Sequence, residues 1–239
     1  ELCNPIATAS GFLAATCTSD GTWSLEQLST DILAIADAAG VDRFHVVGES
    51  LGGTVCLYLA TTGASRLLSL TVASTAYRGD RIGAVKAWWG DLEHEGIGPW
   101  SAHMMTQRFV EDGLSEAAWH WFEGVQRATD PQALLNAAQL LLDTDLTDEV
   151  AAISIPTLII NSDGSPYVTP ALAVDLQSRV SGAELCVFPN SRHGVVFSHG
   201  EQCAALFADF VSRRCGGPVA TLEGSLDQGR DTKTTSSGQ

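Results

Sequence analysis

Phe44-His45-Val46-Val47-Gly48-Glu49-Ser50-Leu51-Gly52-Gly53 decides how this chain is read. A short apolar run of strand character, Asp42 to Val47, gives way at Gly48-Glu49-Ser50-Leu51-Gly52 to a stretch in which Leu51, Val55, Leu57, Tyr58 and Leu59 read as a helix packed on a sheet. A serine therefore stands on a sharp strand-to-helix turn. Such a turn forces its central residue into a strained conformation and lifts the side chain clear of the sheet, and only small neighbours such as Gly48 and Gly52 let strand and helix approach so closely. Ser50 is the candidate nucleophile. The plainer alternative is a glycine-rich turn with a satisfied serine.

Elements on either side extend the pattern. Ser24-Leu25-Glu26-Gln27 has the form of a capping box, and Leu28, Ile32, Ile35 and Ala39 continue at helical spacing to a stop at Gly40. Leu67 to Ala73, Ile155 to Asn161 and Glu184 to Phe188 read as three further buried strands. Between the last two, Thr169-Pro170 is a cap with proline at the first helical position, followed by Leu172, Leu176 and Val180 and a stop at Gly182. Ser198-His199-Gly200-Glu201 reads as another capping box, opening a last helix through Leu206, Phe207, Phe210 and Val211 that ends at Arg213 and Arg214. Strands alternating with long helices predict an α/β class with a parallel sheet. Residues 78–148 break the rhythm: they carry helical patterns only, and hold Trp88, Trp89, Trp100, Trp119 and Trp121. The predicted organisation is a core over 1–77, a helical lid insertion over 78–148, the rest of the core over 149–215, and a disordered polar tail over 216–239.

Composition narrows the function classes. At 239 residues and 45% apolar content the chain can bury one sizeable core. A formal charge of −15, with only Lys86 and Lys233 as lysines, argues against nucleic acid and anionic membrane as partners. The six cysteines form no C-x-x-C pair and no cluster with histidines, so neither a zinc site nor a disulfide framework is signalled, and buried thiols are expected at Cys56 and Cys186. The first twenty residues lack a basic n-region and no apolar stretch reaches membrane-spanning length, so a cytoplasmic location is expected. The sequence gives no indication of oligomeric state.

Serine becomes a nucleophile only when a base accepts its proton and a further group orients that base. His193, in Pro189-Asn190-Ser191-Arg192-His193-Gly194, follows the fourth strand at the edge where parallel sheets bind ligands. His199 is the rival, but it begins a helix. The order of serine, acid and histidine, with the G-x-S-x-G turn and the late histidine loop, resembles the α/β-hydrolase superfamily over roughly residues 20 to 215. Asp143-Thr144-Asp145-Leu146 leading through Val150 and Ile153 into Pro156-Thr157-Leu158-Ile159-Ile160, together with the helical lid, looks most like the 3-oxoadipate enol-lactonase-like esterases. The resemblance implies a hydrolase of carboxylic esters or lactones acting on a small molecule, without metal or organic cofactor. Its triad would be Ser50, His193 and Asp163, with the amide of Leu51 as one oxyanion donor. Hydrolytic cleavage of a carbon-carbon bond by the same triad is an alternative, as is a catalytically inactive binding protein that keeps the fold.

Two departures from the family pattern stand out. An Asp usually precedes the residues matching Thr169-Pro170 by a few positions, yet Asn161-Ser162-Asp163-Gly164-Ser165-Pro166 puts Ser165 near that place. Asp163, two residues earlier on the same loop, is the expected acid, with Asp80 as runner-up and an ordinary turn residue as the plain reading of Asp163. The second departure is the lack of a recognisable second oxyanion-donor loop in residues 1–23, which predicts an N-terminally truncated α/β-hydrolase fold and a weak enzyme. The five tryptophans are expected to serve packing more than substrate contact, and Arg78, Arg81, Arg108 and Arg127 are candidates to meet a substrate carboxylate.

Overall fold

The computed structural model describes residues 23–83 and 85–216. Four strands, β1 (Phe44–Glu49), β2 (Leu67–Ala73), β3 (Thr157–Ser162) and β4 (Glu184–Phe188), form one parallel sheet in the order β1-β2-β3-β4. They coincide with the four apolar runs read from sequence. The helices are α1 (Leu25–Ala38), α2 (Leu51–Thr62), α3 (Trp88–His94), α4 (Ile97–Arg108), α5 (Glu116–Arg127), α6 (Pro131–Asp143), α7 (Pro170–Arg179), α8 (Val195–Ser198) and α9 (Gly200–Cys215). The expectations for residues 1–22 and for the tail beyond Gly216 fall outside the described residues.

Period-two alternation along the strands assigns their two faces. Val46, Leu70, Val72 and Ile159 join the larger core with Val55 and Leu59 of α2 and Leu172 and Leu176 of α7. Ala73, Leu158 and Ile160 point the other way, onto Phe210 and Val211 of α9. Leu57, Leu67 and Leu70 are fully buried, each worth about 1.5–3 kcal/mol.

Helix ends follow local chemistry, with instructive exceptions. Ser24 Oγ accepts the Gln27 amide at 3.1 Å, but the Gln27 side chain donates to Asp31 instead of closing the box. Gly40, at φ +69°, ends α1, with its own amide on Asp37 O and that of Val41 on Ala36 O, which satisfies two carbonyls of the last turn. Thr169 Oγ1 caps α7 through the Leu172 amide, and that helix ends at Arg179, before Gly182. The box predicted at Ser198 is not formed: its hydroxyl donates back to Gly194 O, and α9 starts at Gly200 without a side-chain cap. Cys56 is buried as expected, whereas Cys186 is half-buried.

Residues 78–148 contribute α3 to α6, and Arg78 and Asp145 meet in an isolated antiparallel bridge that fastens the ends of the segment together. Trp100 is buried, and Trp88 packs edge-on against it at 5.4 Å and against Tyr167 at 5.9 Å. Trp121 is exposed and stacks on Phe197.

Candidate active site

Ser50 follows the last residue of β1 and precedes the first of α2, with φ +53° and ψ −120°. Its amide is held on Ala73 O at 2.9 Å, so pairing with β2 maintains the strained turn. Glycine is required beside it. A Cβ at Gly48 would overlap the Gly52 carbonyl and come within 2.7 Å of Gly53 N, and one at Gly53 would strike the Thr75 side chain. Gly48→Ala is therefore expected to destabilise the fold by about 3 kcal/mol, lowering the thermal midpoint by roughly 6–12 °C. Gly124→Ala, in open space on α5, should leave the midpoint unchanged or raise it slightly. Equal midpoints for the two variants in a thermal melt would refute the close approach.

The loop after β4 brings His193 to the serine, with Nε2 2.9 Å from Ser50 Oγ. Asn190, at φ +53°, turns this loop, and the Gly194 amide donates to Arg108 O at 2.9 Å, tying the loop to the end of α4. The imidazole is only 3% exposed and stands edge-on to Tyr167. Burial, and then the nearby Arg108 charge, push its pKa down to about 3, so His193 is neutral at physiological pH.

His193 Nδ1 does not meet Asp163. It lies 3.0 Å from Ser165 Oγ, while the Asp163 carboxylate accepts the amides of Asn190 at 2.9 Å and Ser191 at 3.1 Å. Those two amides hold the Asp163 pKa below its usual value. The expected direct contact is thus replaced by a clamp: Asp163 fastens the loop that carries His193, and Ser165 touches the ring. The bend at Gly164, whose amide donates to Ser191 O, turns Asp163 toward the loop backbone. Asp80, the runner-up, is exposed and paired with Arg78 at 2.6 Å. His199 lies against Ser198 Oγ and the Phe188 ring and does not line the cleft beside Ser50.

A small cleft opens beside Ser50 and His193, walled by Trp88, Met104, Leu141, Val168 and others of largely apolar character. Leu51 N–H is the first amide of α2, and among the described residues no acceptor takes it, as suits a donor at a helix N-terminus. The candidate second donor region, residues 1–22, lies outside the described residues. Of the four arginines singled out by sequence, only Arg108 lines the cleft; Arg78 and Arg81 pair with Asp80, and Arg127 with Glu123. Arg108 Nε donates to Gln126 Oε1 at 2.9 Å, and among the described residues no carboxylate lies within 4.0 Å of its guanidinium. Glu49 neighbours it electrostatically, and burial raises the Glu49 pKa to about 7 against the pull of Arg108. Ser74, at φ +46°, also lines the cleft, and its buried hydroxyl has no partner among the described residues.

Sequence reading missed Ser165, Ser74, Tyr167 and Glu49 as site residues. Only Ser165 carried a signal, its place shortly before Thr169-Pro170. Among the described residues no group of three or more His, Cys, Asp or Glu could hold a metal, and no helix is long and apolar enough to cross a membrane.

Comparison with known proteins gives the family. The alpha/beta hydrolase fold family model matches residues 9–200, and the chain belongs to that family. It is 28% identical over 204 residues to 3-oxoadipate enol-lactonase 1 of Acinetobacter baylyi, covering 79% of this chain and 71% of that protein. It is 26% identical to the pimeloyl-[acyl-carrier protein] methyl ester esterase of Neisseria meningitidis, covering 76% of this chain and 75% of that one. In fold it resembles the enol-lactonase of Burkholderia xenovorans, with a TM-score of 0.73 at 23% identity over 80% of this chain and 74% of that one.

Proposed function

We propose that this chain is a serine hydrolase that cleaves a carboxylic ester or lactone. The observation that carries the reading is the Ser50 hydroxyl, on a strained strand-to-helix turn, 2.9 Å from the ring nitrogen of a buried neutral histidine at the mouth of an apolar cleft. Ser50 Oγ would bond to the substrate carbonyl carbon as its proton passes to His193 Nε2. The tetrahedral oxyanion would accept from Leu51 N–H. Collapse would expel the alcohol with the proton returned by His193, and water would then release the acid from the acyl-serine by the same steps. In this reading Asp163 positions His193 by clamping its loop, while Ser165 contacts the ring. The names of the relatives, an enol-lactonase and a methyl ester esterase, support the ester or lactone class.

The cleft further favours a substrate that carries a carboxylate. Arg108, whose Nε donates to Gln126, brings to the cleft a guanidinium with no carboxylate within 4.0 Å among the described residues, and Ser74 adds a buried hydroxyl without a partner among them. A charge-assisted hydrogen bond contributes about 1.5–3 kcal/mol, or roughly 10- to 100-fold in kcat/KM. Mono-p-nitrophenyl adipate should accordingly be hydrolysed that much more efficiently than p-nitrophenyl hexanoate, and Arg108→Gln should erase the difference. Equal kcat/KM for the two esters in the unmodified chain would remove the carboxylate preference. Failure to hydrolyse either, with no fluorophosphonate adduct on Ser50, would overturn the hydrolase reading itself.

A further inference from the structure

Ser165 is only 7% exposed, and its Oγ has three polar neighbours: the amides of Tyr167 at 3.3 Å and Val168 at 3.1 Å, and His193 Nδ1 at 3.0 Å. Amides can only donate. A serine hydroxyl has two lone pairs and one proton, so the two amides occupy its acceptor capacity and leave its proton for the third neighbour. If His193 Nδ1 instead carried a proton toward Ser165, three donors would crowd two lone pairs and the buried hydroxyl proton would lack an acceptor, an arrangement that protein interiors avoid.

We propose that Ser165 donates its hydroxyl proton to His193 Nδ1 and so holds the ring in the tautomer protonated at Nε2, the nitrogen that faces Ser50. Ser165 is thus a positioning residue whose effect is inhibitory. In this resting arrangement Nε2–H donates to Ser50 Oγ and cannot take the serine proton. Attack runs through the minor tautomer, in which the ring proton sits on Nδ1 and the Nε2 lone pair is free. Asp163 offers no correction, because its carboxylate is turned to the amides of Asn190 and Ser191 while Nδ1 meets Ser165. Nor does the doubly protonated ring form readily, since burial and Arg108 disfavour its charge. The inference rests on the reading of Ser50 and His193 as the hydrolytic pair.

The carboxylate in Ser165→Asp, an acceptor only, would reverse the tautomer by drawing the proton to Nδ1. The loss caused by a wrong histidine tautomer in a triad enzyme sets the scale, so p-nitrophenyl acetate turnover should rise about 10²- to 10⁴-fold. Nitrogen-15 spectra of the His193 side chain at neutral pH should show the unmodified chain protonated at Nε2 and Ser165→Asp protonated at Nδ1. Asp80→Asn, the control, exposed and paired with Arg78 and Arg81, should leave the tautomer unchanged and turnover within a few-fold. A proton on Nδ1 in the unmodified chain overturns the proposal even if Ser165→Asp fails to fold. A tautomer that switches as stated, in a protein whose Ser50 accepts no fluorophosphonate in either form, would uphold the role of Ser165 and sink the hydrolase reading instead.

Discussion

Ser50→Ala is expected to abolish fluorophosphonate labelling and to reduce p-nitrophenyl acetate turnover to the level of solution. Only one hydroxyl among the described residues combines a left-handed backbone at a strand-to-helix turn, a histidine nitrogen at 2.9 Å and a position at the cleft mouth. Ser74 shares the cleft and Ser165 shares the histidine, but Ser74 lacks a base and Ser165 is buried on the far side of the ring. Alanine at position 50 removes the Oγ without disturbing the Ser50 amide bond to Ala73 O that holds the turn, so the fold should survive. Circular dichroism and a thermal melt check that point. Mass spectrometry of a labelled digest locates the adduct, and an adduct on any peptide of the Ser50→Ala protein would mean that the nucleophile lies elsewhere.

His193→Ala should lower turnover by about 10²-fold while the fold is retained. The figure is smaller than for a triad with its acid in place. Where all three members are present, loss of the histidine costs about 2 × 10⁶ and loss of the acid about 3 × 10⁴, and the effects do not add. A chain with a hydroxyl on the ring starts from the lower level, and what remains to lose is the ratio of the two. In Ser165→Asp, by the same logic, removal of His193 should cost far more. His199→Ala, whose ring lies against Ser198 and Phe188, should change turnover by less than about tenfold. The opposite ranking of the two histidines would reject His193 as the base.

The strands and the strand-to-helix turn at Ser50 were legible because each is a local pattern. Four apolar runs bounded by turn residues predict four strands, and glycines on either side of a serine leave few structures but a tight turn. His193 could be placed because a loop after the last strand must lie at the sheet edge that carries Ser50. The partner of its other nitrogen depends on how three residues, Asp163-Gly164-Ser165, bend in space. An Asp in such a loop has backbone amides as rivals to the histidine, and here the amides of Asn190 and Ser191 hold it. Arg108 could not be told from the other arginines, since α4 reaches the cleft only through tertiary packing. At Ser198 the sequence offered a cap, but competition from the Gly194 carbonyl, four residues back, decided otherwise.

The loop bearing His193 hangs from the end of α4 by the Gly194 amide on Arg108 O and by Arg192 on Thr106 O, and the ring of Phe109 fills the space beside Gly194. The same helix end supplies Met104 and Arg108 to the substrate wall. In the proposed mechanism recognition and proton handling therefore share one mechanical part. Displacement of a catalytic group by about 1 Å can cost 10²-fold in rate, so substitutions on α4 that adapt the cleft to a new acyl group also shift the base. Under the proposed mechanism the freedom to reshape the cleft consequently lies on α6, at Leu141, because Trp88 of α3 packs on Tyr167, which itself stands edge-on to His193.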